Sequence, residues 1–395
     1  MLTHLIGDMS GMPEEPYILL RDDSVDETLV FAGPDDIIVA HDRQGVMDGL
    51  AAMQEAHAAG KWLAGYMAYE AGYMFEDKLA RLIEPQRDKP LMAFGIFDRP
   101  SDDHPLGRPR QRTENEPFIT GPRAEWNFAA YEQRFGRLHQ HLRRGDCYQA
   151  NLTMAIHARW SGDPLAAFWS LIERQPVRYG AFVNLGGPVL ISRSPELFFD
   201  VDAKGWIETR PMKGTAARGA SPAEDAAIIA AMRADIKTQA ENRMIVDLLR
   251  NDISRISEVG TLDVPVLFDI ETYPTVHQMV SHVRAKLLPG ATIPEIFAAL
   301  FPCGSVTGAP KMRAMEILHE LESGPRDAYC GSIGFIAPDG RMRFNVAIRT
   351  IALNPGGDAV FHVGGGIVFD STAADEYAEC LLKARFAIGD QEIES

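Results

Sequence analysis

Between Tyr329 and Asp370 three strand-like runs, YCGSIGFIA, FNVAIRTIAL and AVFHVGGGIVF, are separated by short stretches that contain the turns PDG (338–340) and NPGGD (354–358). Runs joined this tightly pair antiparallel, because a parallel return needs a crossover of about a dozen residues or more. Upstream, AFVNL, VLISRS and ELFFDV follow one another at similarly short spacing. This is not the strand-helix alternation of a parallel sheet. Helical stretches interleave with the strands. Ser221-Pro-Ala-Glu224 reads as a capping box with proline at the first helical position, opening a helix that runs toward Asn251. A second helix is predicted from Pro310 to Leu321 and a third over 373–388. Antiparallel strands with helices between them predict an α+β layered fold.

The N-terminal segment, 1–98, mixes short apolar runs (YILL, DIIVAH) with a helix predicted around 47–59 and a strand and turn in KWLAGYMAYEAGYMFE. The stretch 99–124 carries Pro100, Pro105, Pro109, Pro117 and Pro122 among many charges, which reads as an exposed connection. It leads into the longer segment 125–395. With 46% hydrophobic and 24% charged residues the chain has the composition of a soluble globular protein. A net charge of −16 argues against a nucleic-acid partner, since phosphate backbones need a basic face. No run of about 18 apolar residues predicts a membrane span. The start has no basic region followed by an apolar one, so no signal peptide is expected. Four cysteines without metal-ligand spacing suit a reducing, cytoplasmic compartment.

Several polar residues are placed for chemistry. Glu376, Glu379 and Lys383 share one face of the last helix. That face is either solvated, with a Glu379–Lys383 pair, or turned toward a ligand held near Gly364, Gly365 and Gly366. Glu241 lies beside the apolar stripe of Met244, Ile245, Leu248 and Leu249, so its carboxylate needs a partner. An arginine, Arg243 or Arg250, would serve, and so would a divalent cation; oxygen-only ligands suit Mg2+. Glu196, followed by Leu197, Phe198 and Phe199, is set for a raised carboxyl pKa, as a general acid requires. The alternative is an ion pair with Arg193 or a bond to a backbone amide. Lys213 in RPMKGTAARG does not fit a phosphate loop. It is a surface charge, or a nucleophile that needs desolvation or a neighbouring cation such as Mg2+ or Lys311. Thr307 in SVTGAPK and Arg349 are candidate carboxylate contacts, Arg349 through its bidentate guanidinium.

These segments, GDCYQANL, SRSPELF, RPMKGTAARG, AENRMIVDLLRND, FPCGSVTGAPKMRAMEIL, YCGSIGF, AIRT and GGGIVFD, together resemble the chorismate-utilising enzymes. The similarity runs in order from about Gly145 to the C-terminus, and more loosely through YILLRDD and GYMAYEAGY before it. It implies an α/β sandwich like that of anthranilate synthase component I, with antiparallel sheets packed face to face and helices outside. It implies chorismate as substrate and Mg2+ as cofactor. Glu241 and Glu379 then correspond to metal ligands, with Glu376 nearby, and Glu196 to the acid that protonates the departing 4-hydroxyl. Thr307, Tyr329, Arg349, Gly364, Gly365, Gly366 and Lys383 correspond to substrate contacts, and His277 in YPTVHQMVS to the family's active-site histidine.

Two positions bear on the branch. Anthranilate synthases carry alanine at the position of Lys213, and isochorismate and salicylate synthases carry a lysine base at the position of Gln149. Lys213 together with Gln149 is similar to the aminodeoxychorismate synthase branch of folate synthesis. That resemblance implies a covalent Lys213 adduct and ammonia supplied by a separate glutamine amidotransferase subunit. The rival readings are anthranilate synthase component I and a non-catalytic chorismate-binding subunit. Cys303 replaces a glycine usual in the family, which would make the pocket narrower or sensitive to thiol reagents.

Overall fold

A computed structural model of the chain describes residues 15–83, 87–101, 103–109, 118–273 and 276–394. From the N-terminus run β1 (Tyr17–Asp22), β2 (Glu27–Ala32), β3 (Asp36–Ala40), α1 (Arg43–Ala58), β4 (Trp62–Met67), α2 (Asp77–Ala80) and β5 (Met92–Phe97). Next come β6 (Ile119–Ala124), α3 (Phe128–Arg144), β7 (Gln149–Trp160), α4 (Pro164–Arg174), β8 (Tyr179–Asn184), β9 (Val189–Ser194), β10 (Leu197–Val201), β11 (Trp206–Arg210) and β12 (Met212–Ala217). The chain continues through α5 (Pro222–Ala234), α6 (Ile236–Ser254), β13 (Asp263–Thr272), β14 (Val276–Lys286), α7 (Ile293–Leu300), β15 (Gly308–Ala309) and α8 (Lys311–Leu321). It closes with β16 (Ser332–Ile336), β17 (Met342–Val346), β18 (Thr350–Leu353), β19 (Asp358–Ile367) and α9 (Ala373–Ile388).

Among the described residues the strands form two antiparallel sheets. The first has the order β15-β7-β19-β18-β9-β8-β1-β2, with β6 also on β7. The second has the order β12-β14-β11-β10-β17-β16-β4-β5-β3, with β13 also on β14. Ile18, Phe31, Ala181, Val183 and Leu190 from the first sheet meet Ala64, Ala93, Phe97, Ile333 and Phe335 from the second. The many alanines in this layer let the sheets pack face to face. Outside the first sheet, α3, α4, α8 and α9 bury Tyr131, Phe168, Ile317 and Ala384. Outside the second, α1, α6 and α7 bury Leu50, Leu249 and Phe297. The predicted α+β sandwich with outer helices is the observed architecture. No helix among the described residues is long and apolar enough to cross a membrane.

Local differences from the sequence reading have clear causes. The helix predicted from Ser221 toward Asn251 is two helices. Asp235 interrupts it, accepting from the Lys237 amide at 3.0 Å and the Thr238 hydroxyl at 2.5 Å as the N-cap of α6. Ser221 does cap α5, but Glu224 reaches back to the Ala220 amide and not to that of Ser221, so the box is incomplete. After β4 the chain makes a 3₁₀ helix, Tyr69–Phe75, in place of a simple turn. Part of the proline-rich connection lies outside the described residues. Its last six residues, however, are β6, with Phe118 and Ile119 buried beside β7. That end of the connection belongs to the sheet because ITGPRA offers Ile119 and Ala124 to the core at its two ends.

FNVAIRTIAL is not one strand. β17 belongs to the second sheet and β18 to the first, and the chain changes sheets over Ala347, Ile348 and Arg349. Arg349 takes φ +51°, a left-handed conformation rare for a large side chain. A second crossover runs beside it, where Pro195 and Glu196 join β9 to β10. The two are tied together: the Val346 amide donates to the Glu196 carbonyl at 3.0 Å, and the Arg193 amide to the Arg349 carbonyl at 2.9 Å.

Candidate active site

The crossovers, the ends of β7 and β19, edge strand β12 and helices α6 and α9 supply the candidate residues. In β19, Gly364, Gly365 and Gly366 stand opposite Thr153, Leu152 and Asn151 of β7. A Cβ on Gly366 would lie 2.6 Å from Gln149 Nε2 and 3.2 Å from Lys213 Nζ. One on Gly365 would lie 2.8 Å from Glu376 Oε2 and 3.8 Å from Lys383 Nζ. The missing side chains therefore let an amide, a carboxylate and two ammonium groups gather over bare backbone. Gly366→Ala would press only on the movable ends of Gln149 and Lys213, so it is expected to lower turnover while leaving the melting temperature near wild type. Gly364→Ala would meet the Leu152 carbonyl oxygen at 2.5 Å, backbone that cannot yield. It should cost about 1–3 kcal/mol of stability. Chemical denaturation of both variants checks this, and a Gly364→Ala protein as stable as wild type would contradict it.

Lys213 projects from β12 and is followed by Gly214, whose φ of +86° and lack of a Cβ let Thr238 of α6 pack against it. That approach brings Glu241, on the next turn of α6, to 3.1 Å from Lys213 Nζ. Neither arginine considered for Glu241 pairs with it. Arg243 lies over the Phe268 ring at 5.5 Å, and Arg250 pairs with Asp247 at 2.9 Å. Nor is Lys311 the neighbouring cation of Lys213. Its Nζ is bound to Asp252 at 2.6 Å and to the Leu300 carbonyl at 3.0 Å.

Glu196 is buried at its crossover, and one carboxyl oxygen has no hydrogen-bond partner among the described residues. Burial pushes its carboxyl up to about 7, against the pull of the Ser305 hydroxyl and of the Lys213 and Lys383 ammonium groups. Arg193, its other candidate partner, instead pairs with Asp23 and donates to the Gln175 carbonyl. On α9, Lys383 bridges Glu379 at 2.8 Å and the Gly364 carbonyl at 2.7 Å. Burial opposes ionisation of Glu379, but Lys383 and then Lys213 hold its carboxyl below the usual range. For Glu376 burial prevails and raises the carboxyl, against a Ser371 hydroxyl that donates to it at 2.7 Å.

Arg349 has no carboxylate partner among the described residues, and burial alone draws its guanidinium down to about 10. A half-buried guanidinium without a counter-charge favours an anionic ligand over a neutral one. Tyr329 is buried with its ring stacked on His362 at 5.4 Å between centroids. The Thr307 hydroxyl donates within its own loop, to the Cys303 and Gly304 carbonyls at 3.2 Å each. His277 is fully buried and both ring nitrogens are engaged, one with Thr272 at 2.9 Å and one with Asp225 at 2.8 Å. Its imidazole holds Asp225 near the start of α5, and its backbone pairs with Ala216 of β12. Cys303 is buried beside Ser305, and burial followed by the Glu196 charge pushes its thiol up to about 12. A thiol so protonated is a poor target for maleimide. Sequence reasoning passed over Ser371, whose hydroxyl donates to Glu376, and Ser305, whose hydroxyl counters the raised carboxyl of Glu196. Ser305 lies inside the SVTGAPK segment, but nothing in its spacing pointed to Glu196.

A divalent cation fits this chemistry in charge and in donor type. Glu241, Glu376 and Glu379 outnumber Lys213 and Lys383, leaving excess negative charge on hard oxygen donors. No three His, Cys, Asp or Glu side chains among the described residues gather closely enough to hold an ion alone.

Known proteins share the sequence and fold of this chain. A family model described as chorismate binding enzyme matches residues 15–389. The chain is similar to aminodeoxychorismate synthase of Streptomyces pristinaespiralis, 37% identical over 333 residues, which is 80% of this chain and 46% of that protein. It is also similar to aminodeoxychorismate synthase component 1 of Escherichia coli strain K12, 38% identical over 342 residues, 81% of this chain and 74% of that one. The chain thus spans less than half of the first relative and about three quarters of the second. Among solved structures it is similar to anthranilate synthase component I from Streptococcus pneumoniae TIGR4. The TM-score is 0.77 and the identity 26%, covering 95% of this chain and 92% of that one.

Proposed function

This chain belongs to the chorismate-binding enzymes, and on that footing we propose that it aminates chorismate to 4-amino-4-deoxychorismate through a covalent Lys213 adduct. The observation that carries the reading is Lys213 Nζ, set over Gly366 beside Gln149 and 3.1 Å from Glu241. The two relatives named aminodeoxychorismate synthase support the branch.

Chorismate brings two carboxylates, and the Arg349 guanidinium, which has no carboxylate partner among the described residues, is suited to one of them. Lys213 attacks ring carbon 2 as a neutral amine; the proton it must first lose has an acceptor in Glu241. Both ring double bonds shift, the one at carbons 1 and 2 to carbons 1 and 6 and the one at carbons 5 and 6 to carbons 4 and 5, and the bond from carbon 4 to its hydroxyl breaks. Glu196, protonated near neutral pH, gives its proton to that hydroxyl, which leaves as water. Ammonia then adds at carbon 4 and becomes an ammonium group there, both double bonds shift back, and Lys213, protonated in the adduct, departs from carbon 2 as a neutral amine. Glu241 and Glu379, with Glu376 beside them, would hold Mg2+. Bound there, Mg2+ would neutralise the ring carboxylate. The ammonia would come from a glutamine amidotransferase subunit, in keeping with the designation component 1 of the Escherichia coli relative. A cytoplasmic location belongs to the same reading.

The second reading is anthranilate synthase component I, favoured by the likeness to the Streptococcus pneumoniae structure of that name. Product analysis separates the two. Incubated with chorismate, Mg2+ and ammonium, the purified chain is expected to give an amino-substituted chorismate that keeps its pyruvyl group, by liquid chromatography and mass spectrometry. EDTA should abolish its formation. Anthranilate as the product would overturn the branch, and unchanged chorismate under all conditions would overturn catalysis by this chain alone.

A further inference from the structure

We infer that Gln175 is a positioning residue for Arg349, turning its guanidinium toward a substrate carboxylate while leaving its charge undiminished. Gln175 follows α4 and precedes Pro176. The residue before a proline is excluded from helical geometry, and Gln175 is extended at φ −149°, ψ 83°. Its main chain is fixed from two sides. The amide donates to the Leu171 carbonyl at 2.9 Å, and the carbonyl receives Arg193 Nε at 3.2 Å and Nη2 at 2.9 Å. Arg193 is itself fully buried and paired with Asp23. Asp23 in turn clamps the next turn of the loop. It accepts from the Val177 amide at 2.7 Å and donates its own amide to the Val177 carbonyl at 3.0 Å.

Arg193 also holds Arg349, through its amide on the Arg349 carbonyl at 2.9 Å. One buried residue thus fixes the backbones of both Gln175 and Arg349. With its oxygen turned to the guanidinium, the Gln175 side chain accepts from Arg349 Nε at 3.1 Å and from Nη1. The opposite orientation would set an NH₂ group against N–H donors, so the hydrogen-bond network selects the first. A guanidinium has five N–H donors. A neutral amide oxygen occupies two of them and cancels no charge. Glutamate at the same place would fill the same space, neutralise Arg349 and compete with an incoming carboxylate.

This rests on the reading of Arg349 as a carboxylate contact, so the test includes Arg349→Lys as a reference. Steady-state kinetics on the full chain, with chorismate, ammonium and Mg2+, would compare Gln175→Met, Gln175→Glu and Arg349→Lys. Gln175→Met is expected to raise the KM for chorismate about tenfold with kcat changed less than about threefold, the loss of one charge-assisted contact. Gln175→Glu, although isosteric, is expected to raise KM further, and the excess should shrink as pH falls and the new carboxyl protonates. A merely structural role would spare the isosteric variant and give no such pH dependence. If Arg349→Lys raises KM and Gln175→Met does not, the positioning role is overturned. A fall in kcat at unchanged KM overturns it too. If Arg349→Lys leaves KM unchanged, the carboxylate reading of Arg349 is what fails.

Discussion

Lys213→Ala is expected to lower chorismate amination on the order of 10³-fold or more, because the variant has lost the atom that forms the first new bond. What remains would be direct addition of ammonia to chorismate held and protonated by the other groups. Lys213→Arg tests the chemistry more sharply. Arginine keeps a cation beside Glu241 but is never neutral near physiological pH, so it cannot be a nucleophile. Both variants should therefore be similarly inactive. Retention of the rate within a few-fold by Lys213→Arg would reduce Lys213 to an electrostatic role. Quenched turnover of the wild type, digested and analysed by mass spectrometry, should carry added mass on the peptide containing Lys213. Neither variant should carry it.

The second large effect is expected at Glu196. Glutamine in its place would keep the shape and hydrogen-bonding reach of the side chain without a transferable proton, so E196Q should lower kcat/KM by about 10²–10⁴-fold. The pH profile carries the sign of the effect. Burial raises the carboxyl from its ordinary value to about 7, so the acid form is populated below that pH and lost above it. The ratio of wild-type to E196Q rates, in which the ionisations of Lys213 and of ammonia cancel, should be level below about pH 7 and decline tenfold per unit above it. Stability runs the opposite way to that of a salt-bridged carboxylate. Between the ordinary carboxyl pKa and about 7 the unfolded chain releases a proton that the folded chain keeps, so rising pH costs folding free energy over this window. E196Q is free of that cost and should melt above wild type at pH 8. Equal melting temperatures there would mean that Glu196 ionises in the folded protein as readily as in the unfolded one.

Much of this molecule could be read before its structure, where the cause was local. The hairpins around 338–340 and 354–358 were legible because a short turn leaves an antiparallel return as the only option. The raised carboxyl of Glu196 was legible because Leu197, Phe198 and Phe199 adjoin it. The change of sheet at Arg349 was hidden, since FNVAIRTIAL is apolar on both sides of Arg349 and either sheet would accept either half. The Lys213–Glu241 pair was hidden as well. It depends on α6 folding back onto β12, and Asp235, which makes that bend, looks in sequence like a polar residue on a continuous helix. Gln175 meets Arg349 only because Arg193 fastens two distant loops together, and no spacing records that.

The placement of the first strands also sets an order in time. β1 and β2 lie on the first sheet against β8, where Tyr17 faces Asn184. β4 and β5 join the second sheet through β16, where Leu63 faces Ile336. A chain emerging from the ribosome can complete the first of these seams midway through synthesis, but the second must wait until most of it has been made. Until then β4 offers an unpaired edge, the kind of surface that recruits a wrong neighbour. Contacts so distant in sequence also slow the search for the native pairing. A nascent chain halted before Ser332 would therefore keep an exposed β edge, and chaperone occupancy should fall only after Ile336 has left the exit tunnel.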